Sequence, residues 1–453
     1  MATEVQKRPI NRLQTVYALR ALMDKNYEAT LEAQREGRPI AWCMAEGFAG
    51  PLLNVMDIEA VFPENYATHC AAVDAASLYI DRATAEGFPT HLCTYAQTGL
   101  GYASMMQELG EIPPGAPQGG LPKPILMVGS APSCDARSKW FQAMQRYIDA
   151  PLWITQSPAT GARESLMEGA YERDVQFTVE DLRRFIAFLE NLVGKKFDYD
   201  RLAEEEESRT EMEAIWYEIT DEMRQARPCP MNSRDHYSAM SPTLFNTRDV
   251  KAVVELYKKM RDEVQQRIDD GIAGINRPEK YRVSFHGLGP WHSMNLFDKI
   301  AERGWNSVWE DYHPQAPVDL SGVSDPLERL VRRRRRSTEW YINHEFPPGQ
   351  AAEVTREIME TGTSDKLTVQ DARKHQMDGV ILHTAISCRM TSIGTGLRQL
   401  RLMEIWNVPC LLIEGDMIDR RLFSMDEFMT KCEAFEDTMD HYKQVRKERG
   451  LEW

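Results

Sequence analysis

The sequence KPILMVGSA, residues 123–131, is the clearest strand in the first half of the chain. A short apolar run that ends in glycine and small polar residues is typical of a buried strand in a parallel sheet. The runs PIAWCMAEG (39–47), THLCTY (90–95) and LWITQS (152–157) have the same character, and stretches with helical patterns lie between the runs. They predict a first parallel α/β sheet.

The second half repeats this pattern. YRVSFHGLG (281–289), NSVWEDYHP (306–314), MDGVILHTAISCR (377–389) and VPCLLIEGD (408–416) predict a second set of strands, and a C-terminal helix is expected over 425–447. There is no convincing sequence repeat between the two halves.

The remaining sequence is predominantly helical. An amphipathic pattern covers 10–36, and 175–275 carries long helical patterns, interrupted by the loop-like ARPCPMNSRDHYSAMSP at 226–242. We therefore predict an α/β protein with two parallel-sheet (Rossmann- or flavodoxin-like) domains and a helical connecting region. The predicted division is an N-terminal helical segment 1–36, a first α/β domain 37–170, a helical region 171–278 and a second α/β domain 279–453.

Composition excludes several classes of function. The chain has 453 residues and a formal net charge of −15, which disfavours nucleic-acid binding because phosphate neutralisation needs a basic surface. No stretch approaches the ~20 apolar residues that span a bilayer, and the N-terminal sequence lacks the apolar core of a signal peptide. We expect a cytoplasmic protein without a membrane partner.

Eight cysteines occur and none forms a CxxC pair, so a metal site would have to gather cysteines that are distant in sequence. Cys93, Cys134 and Cys388 follow predicted strands, where functional groups of parallel sheets collect. Three thiolates suit a [4Fe–4S] cluster that leaves one iron open. A zinc ion with three cysteine ligands, or three inert buried thiols, are the alternatives.

The other cysteines differ in setting. Cys43 and Cys410 lie in predicted strands, and Cys70 and Cys432 in predicted helices. Cys229 stands between two prolines in the loop, where we expect it to line a substrate pocket.

Further candidate residues lie in predicted turns. His286, Trp291 and His292 follow a strand, so we expect Trp291 to contact the substrate and the two histidines to supply protons. A core histidine is the alternative for His286. Glu46 is a candidate for hydrogen bonding to a ligand, or for a charge at a helix N-terminus.

Two further sets of charged residues carry weaker expectations. Glu414 and Asp416 are expected to orient loops. The run Arg332–Arg336 would bind the phosphates of a coenzyme or dock a partner, or else form a solvated helical face.

Three segments together resemble a known family. They are GSAPSCDARSKWF (129–141), DGVILHTAISCR (378–389) and VPCLLIEGDMIDRRLFS (408–424). Their order and placement are similar to those of benzoyl-CoA reductase and 2-hydroxyacyl-CoA (2-hydroxyglutaryl-CoA) dehydratase subunits, over roughly 10–445.

The resemblance implies a [4Fe–4S] cluster held by Cys93, Cys134 and Cys388. It also implies an acyl-CoA substrate, a heterodimer with a related second catalytic subunit, and a separate ATP-hydrolysing iron–sulfur activator with ferredoxin upstream. This sequence contains no GxxxxGK[ST] phosphate loop, so ATP chemistry would belong to the partner.

Two activities divide the family. The length of the chain and the aromatic content of 285–294 and 309–314 favour the larger, cluster-carrying subunit of an ATP-dependent benzoyl-CoA reductase, which dearomatises benzoyl-CoA to a cyclic diene. A 2-hydroxyacyl-CoA dehydratase subunit is the alternative. Outside the family, a zinc hydrolase or lyase and an electron-relay subunit without substrate contact remain open.

Overall fold

The computed structural model describes residues 8–45, 47–132, 134–245 and 247–453. In these ranges, eight strands form two four-stranded sheets in which every pair of neighbours is parallel. The strands are β1 Ile40–Cys43, β2 Glu59–Val61, β3 Leu126–Ala131, β4 Leu152–Gln156, β5 Tyr281–His286, β6 Trp305–Glu310, β7 Gly379–Ala385 and β8 Cys410–Gly415. The predicted α/β class with two parallel sheets is confirmed.

Helices cover both sheets and connect them. They are α1 Thr15–Glu36, α2 Ala49–Val55, α3 Pro63–Ala72, α4 Ala76–Ala85, α5 Thr94–Leu109, α6 Asp135–Met144, α7 Ala162–Ser165, α8 Ala170–Val193, α9 Tyr199–Tyr217, α10 Ser233–Ala239, α11 Ser241–Leu244, α12 Val250–Asp269, α13 Leu296–Glu302, α14 Pro326–Arg334, α15 Thr338–Glu345, α16 Pro348–Thr361, α17 Asp365–Thr368, α18 Gln370–Lys374, α19 Arg389–Ser392, α20 Thr395–Arg401 and α21 Met425–Glu448. Of the helices in the described ranges, none is both long and apolar enough to cross a bilayer.

The strand order places a crevice at the same point in each sheet. The first sheet has the order β2-β1-β3-β4 and the second β6-β5-β7-β8. In each, the order reverses between the two central strands, and ligands of parallel α/β sheets bind beyond the carboxyl ends of the strands at such a point. The segments that follow β1, β3, β5 and β7 are therefore the expected position of a site.

Seven of the predicted strand runs contain a strand, but the prediction for 90–95 is wrong. Helix α5 begins at Thr94, so Cys93 stands before a helix and not at the end of a strand. The fourth strand of the first sheet is β2, which the sequence analysis missed. Its three residues include Glu59, a charge that interrupts the apolar run and is buried against Arg38 and Arg248.

The loop predicted over 226–242 contains two short helices, α10 and α11. Asn232 caps α10 by accepting a hydrogen bond from the backbone amide of Arg234 at 2.9 Å. Helices of seven and four residues are too short to give a helical hydrophobic period, so composition alone suggested a loop.

The chain returns to the first sheet after entering the second. Helix α14 packs on α8 and α9, and Leu327, Leu330 and Val331 join the core that lies against one face of the first sheet. The division of the chain at residues 36, 170 and 278 stays a prediction, and α14 lies beyond the last of these boundaries.

Candidate functional site

Three cysteines occupy the position directly before a helix. Cys93 precedes α5, Cys134 precedes α6, and Cys388 precedes α19. Cys134 and Cys388 each follow a central strand by three residues, β3 and β7 respectively. All three are partly exposed, whereas four of the remaining cysteines are buried: Cys43, Cys70, Cys229 and Cys432. The sequence therefore leaves three accessible thiols at the starts of helices.

Electrostatic effects show that these thiols are neighbours. Burial raises the pKa of Cys93 to about 12, and Cys388 and Glu64 act in the same direction. The backbone amides of Ala96 and Tyr95 oppose this rise in pKa, because N–H groups at the first turn of a helix favour a thiolate. Cys93 and Cys388, 295 residues apart in sequence, thus interact, and the adjacent residues Thr94 and Ser387 are joined by a hydrogen bond of 3.3 Å.

Cys134 belongs to the same group. Burial raises its pKa, the backbone amide and the charge of Arg137 lower it, and Glu64 and Cys388 raise it again. Arg137 in turn donates two hydrogen bonds to Glu64, at 3.1 Å and 2.8 Å. The structure therefore brings together the three cysteines that the sequence analysis selected.

A buried carboxylate links the two segments that carry Cys93 and Cys388. Asp416, which follows β8, accepts hydrogen bonds from the hydroxyl groups of Thr94 at 2.6 Å and of Ser387. Thr94 is next to Cys93, and Ser387 is next to Cys388. Asp416 thus fixes both cysteine-bearing segments, which agrees with the expectation that it orients loops, whereas Glu414 is exposed on β8.

Aromatic side chains line the space near Cys93. The indole N–H of Trp291 donates a hydrogen bond to the hydroxyl of Tyr95. The ring of Trp291 lies 5.4 Å from that of Tyr237 in an edge-to-face arrangement and 6.5 Å from that of Tyr312. We call Tyr95, Trp291, Tyr237 and Tyr312 the aromatic wall. Trp291 was predicted to contact the substrate, and this role stays a prediction.

The two histidines predicted as proton donors are held by hydrogen bonds. His286 is 3% exposed, with Nδ1 at 3.1 Å from Asp311 Oδ1 and Nε2 at 3.1 Å from Ser284 Oγ. This is the environment of a satisfied core histidine. His292 donates from Nε2 to the backbone carbonyl of Asp416 at 2.9 Å, and burial lowers its pKa. Catalytic roles for both residues stay predictions.

Of the other two predicted substrate contacts, Cys229 lies among different neighbours. Cys229 is fully buried, its thiol donates to the carbonyl of Met231 at 3.1 Å, and its electrostatic neighbours include Arg224 and Glu279. Glu46 lies outside the described residues.

The arginine run is engaged inside the protein. The ion pairs join Arg332 to Glu172 and Glu328, Arg333 to Glu206 and Glu213, and Arg335 to Asp174. Arg336 donates to the backbone carbonyl of Ala316. These contacts fasten the run to the rest of the chain, so it is not a solvated helical face, and binding of coenzyme phosphates or of a partner stays a prediction.

Glu64 is the residue of this site that the sequence analysis missed. It lies in the first turn of α3, accepts a hydrogen bond from the backbone amide of Ala45 at 3.1 Å, and holds Arg137. The sequence feature that could have identified Glu64 is the pair Pro63 and Glu64, which is typical of a helix start. It was missed because the preceding strand β2 was not predicted.

Comparisons with known proteins agree with this arrangement. The model of the family HGD-D, 2-hydroxyglutaryl-CoA dehydratase, D-component, matches residues 52–439. The (R)-2-hydroxyisocaproyl-CoA dehydratase alpha subunit of Clostridioides difficile is 23% identical over 431 residues, 94% of this chain and 96% of the relative.

Two further relatives show the range of activities. The (R)-phenyllactyl-CoA dehydratase alpha subunit of Clostridium sporogenes is 21% identical over 423 residues, 93% of this chain and 94% of the relative. A benzoyl-CoA reductase subunit of Thauera aromatica is 24% identical over 429 residues, 92% of each chain. Because the family model covers most of the sequence, the chain belongs to the 2-hydroxyglutaryl-CoA dehydratase, D-component family.

Proposed function

We propose that this chain is the cluster-carrying catalytic subunit of an acyl-CoA enzyme, and that Cys93, Cys134 and Cys388 hold a [4Fe–4S] cluster. The observation that carries the proposal is the meeting of three partly exposed thiols, from three separate helix starts, at the carboxyl ends of the two sheets. Three cysteine ligands would leave one iron available to substrate or water.

The donor set fits a cluster better than a single zinc ion. A tetrahedral zinc ion with bonds of about 2.3 Å places its sulfur ligands about 3.8 Å apart. In the part of the chain that the structure describes, the three sulfur atoms do not all lie within 4.8 Å of one another. A cluster bridges larger separations because each thiolate binds a different iron.

The cluster would supply single electrons at low potential to the thioester of a bound acyl group. The residues of this chain have supporting tasks. Trp291 and Tyr95 give the acyl group an apolar surface and exclude water, which would otherwise be reduced in place of the substrate. Asp416 keeps the segments of Cys93 and Cys388 in register.

Of the two reactions, we propose dehydration of a 2-hydroxyacyl-CoA as the first candidate. Three of the relatives are alpha subunits of dehydratases for different 2-hydroxyacyl-CoA substrates, and a fourth is a lactoyl-CoA dehydratase alpha subunit. The reductive dearomatisation of benzoyl-CoA is the second candidate, and the aromatic wall and the resemblance to the benzoyl-CoA reductase subunit of Thauera aromatica favour it.

Electron counting decides between these reactions. The complex of this chain with its partner subunit would be supplied with electrons by the ATP-hydrolysing activator and ferredoxin. A dehydratase recovers its electron after water loss, so a 2-enoyl-CoA product should far exceed the electrons consumed. A reductase consumes two electrons for each cyclic diene formed. If neither acyl-CoA class is converted by a complex with full iron and sulfide content, the proposed function is wrong.

We also propose that a related second subunit covers an apolar surface beside Cys388. The exposed side chains of this surface are Ile386, Met390, Ile393, Leu397 and Leu400. Ile393 is 88% exposed and directly follows α19, Met390 lies on α19, Leu397 and Leu400 lie three residues apart on α20, and Ile386 precedes Cys388. Contiguous exposed apolar residues mark interaction surfaces, and the relatives are named as subunits.

Co-purification tests this surface. Ile393→Lys should abolish binding of the second subunit, measured by light scattering of the co-expressed chains. Leu109→Lys is the matched control, because Leu109 is also exposed but lies at the end of α5, outside this apolar surface. A complex of unchanged mass and affinity with Ile393→Lys would place the partner on another surface.

A further inference from the structure

A second group of side chains that bind metals lies at the carboxyl end of β6. Glu310 ends β6, His313 follows three residues later, and His236 comes from α10. One ligand atom from each of these residues lies within 4.8 Å of the others. Within the described residues, no other trio of histidine, cysteine, aspartate or glutamate is as compact.

The distances have the pattern of ligands that share one ion. Glu310 Oε1 lies 2.9 Å from His236 Nδ1 and 3.4 Å from His313 Nε2. Bonds of about 2.0–2.2 Å from nitrogen and carboxylate oxygen to a metal ion place neighbouring ligand atoms about 3.0–3.5 Å apart. The two separations from Glu310 are therefore compatible with one ion bound to all three residues.

The imidazoles have unused capacity at this point. The ring nitrogens of His236 and His313 have no partner with hydrogen-bond geometry among the described residues, although one nitrogen of each ring lies close to Oε1 of Glu310. His236 is fully buried, and a buried polar atom without a partner costs stability. A bound cation would satisfy one nitrogen of each ring.

The carboxylate of Glu310 is held in place by an arginine side chain. Arg224 binds both oxygens of Glu310, at 2.6 Å and 2.8 Å, and hydrogen bonds of this kind fix ligating carboxylates.

The charge of Arg224 would oppose a cation, but carboxylate charge lies close by. Asp311 is adjacent to Glu310, and its Oδ1 lies 3.1 Å from Nδ1 of His286. Together, Glu310 and Asp311 offset Arg224 and part of the charge of a divalent ion.

The backbone between two of the ligands is unusual. Tyr312 has a φ of 79°, a left-handed conformation that costs a tyrosine energy. It turns the chain so that the ring of His313 stacks on Trp309, with centroids 4.6 Å apart. Such strained residues cluster where a structure positions functional groups.

We propose that His236, Glu310 and His313 bind one divalent transition-metal ion of the zinc class. The set of two imidazoles and one carboxylate suits Zn²⁺. The ion ties α10 to the end of β6 and so positions Tyr237, which follows His236 and belongs to the aromatic wall. The His313 side chain is 13% exposed, and both of its ring nitrogens are buried.

Metal analysis of the full chain tests this site, with Zn²⁺ as the probe. Wild-type chain, purified without oxygen and equilibrated with Zn²⁺, should retain one zinc per chain in addition to its iron and sulfide. His236→Gln and His313→Gln should lose the zinc and keep the iron and sulfide. His344→Gln is the control, since His344 stacks on Trp340 and bonds to Tyr217 outside both sites.

A measurement on the wild-type chain covers the case in which the variants do not fold. Co²⁺ in place of Zn²⁺ should give a visible absorption band that one equivalent of Zn²⁺ removes. If the wild-type chain binds neither ion, only water occupies the position between the three side chains and the proposal is overturned. Folded variants that retain one zinc per chain overturn it equally.

Discussion

The cysteine site and the arginine run attract attention in the sequence for the same reason, since each concentrates reactive or charged side chains. The structure treats them in opposite ways. Cys93, Cys134 and Cys388 keep partly exposed thiols at the starts of helices. The guanidinium groups of Arg332 and Arg333 form ion pairs with glutamates of the same chain.

Residue type alone identifies a candidate site. A side chain that the fold leaves able to bind a further group identifies a site. Arg333 is 3% exposed and already satisfied, so it holds the fold together. The thiols retain capacity for a ligand from outside the chain. The following experiments test this contrast.

Replacing a cysteine of the crevice should have the largest effect. We expect Cys134→Ala to remove the cluster, because the loss of one thiolate leaves an iron without a ligand. Cys432→Ala, at a buried position of helix α21, should leave only a small cavity and full iron and sulfide content. Iron and acid-labile sulfide analysis provides the measurement. Full content in Cys134→Ala would refute the ligand assignment.

Breaking the arginine run should affect stability and not substrate binding. Arg333→Met leaves Glu206 buried without its cation, which should lower the free energy of unfolding by about 3–5 kcal/mol in urea titrations. Arg332→Met, whose pairs are partly exposed, should cost about 0–1 kcal/mol. The KM for acyl-CoA should not change in either variant. A stable Arg333→Met with a raised KM would return the run to a role in coenzyme binding.

Weakening the connection between two of the cysteines should have an intermediate effect. In Asp416→Asn, an amide group replaces one acceptor oxygen, so a buried hydroxyl of Ser387 or Thr94 loses its partner. We expect a loss of about 1–3 kcal/mol in the free energy of unfolding, and faster loss of iron to a chelator. Glu414→Gln, at an exposed position on β8, should change neither quantity. Equal rates of iron loss in both variants would show that Asp416 does not support the cysteines.

Changing the aromatic wall should have the smallest effect. Trp291→Leu removes a ring contact worth about 0.5–1.5 kcal/mol, so the KM for an aromatic acyl-CoA should rise roughly twofold to tenfold. The KM for an aliphatic acyl-CoA is the internal control and should change less. An equal rise for both substrates would show that Trp291 shapes the crevice and does not recognise a ring.

Much of this could be predicted from the sequence because local patterns are sufficient for it. The apolar runs before Cys134 and Cys388 locate both residues beyond strand ends, and the structure brings them together with Cys93. The strand predicted around Cys93 is wrong. The run THLCTY is so short that its pattern does not distinguish a strand from the start of a helix.

The rest depends on tertiary structure. Glu64 reaches the cysteines only because α3 packs beside them, and no local pattern reports that. The same holds for His236 and Glu310, which are 74 residues apart and meet through the packing of α10 on β6. A satisfied histidine such as His286 and an unsatisfied one such as His313 also look identical in sequence.

The buried carboxylate of Asp416 has a mechanical consequence. It accepts hydrogen bonds from Thr94 of the first half of the chain and from Ser387 of the second half, so it connects the two sides of the crevice. Separating the two halves would break the hydrogen bond between Thr94 and Asp416 and move Cys93 away from Cys388. We therefore expect the crevice to keep a constant width during turnover, with substrate entering past side chains and loops, so that the distance an electron travels stays the same in every cycle.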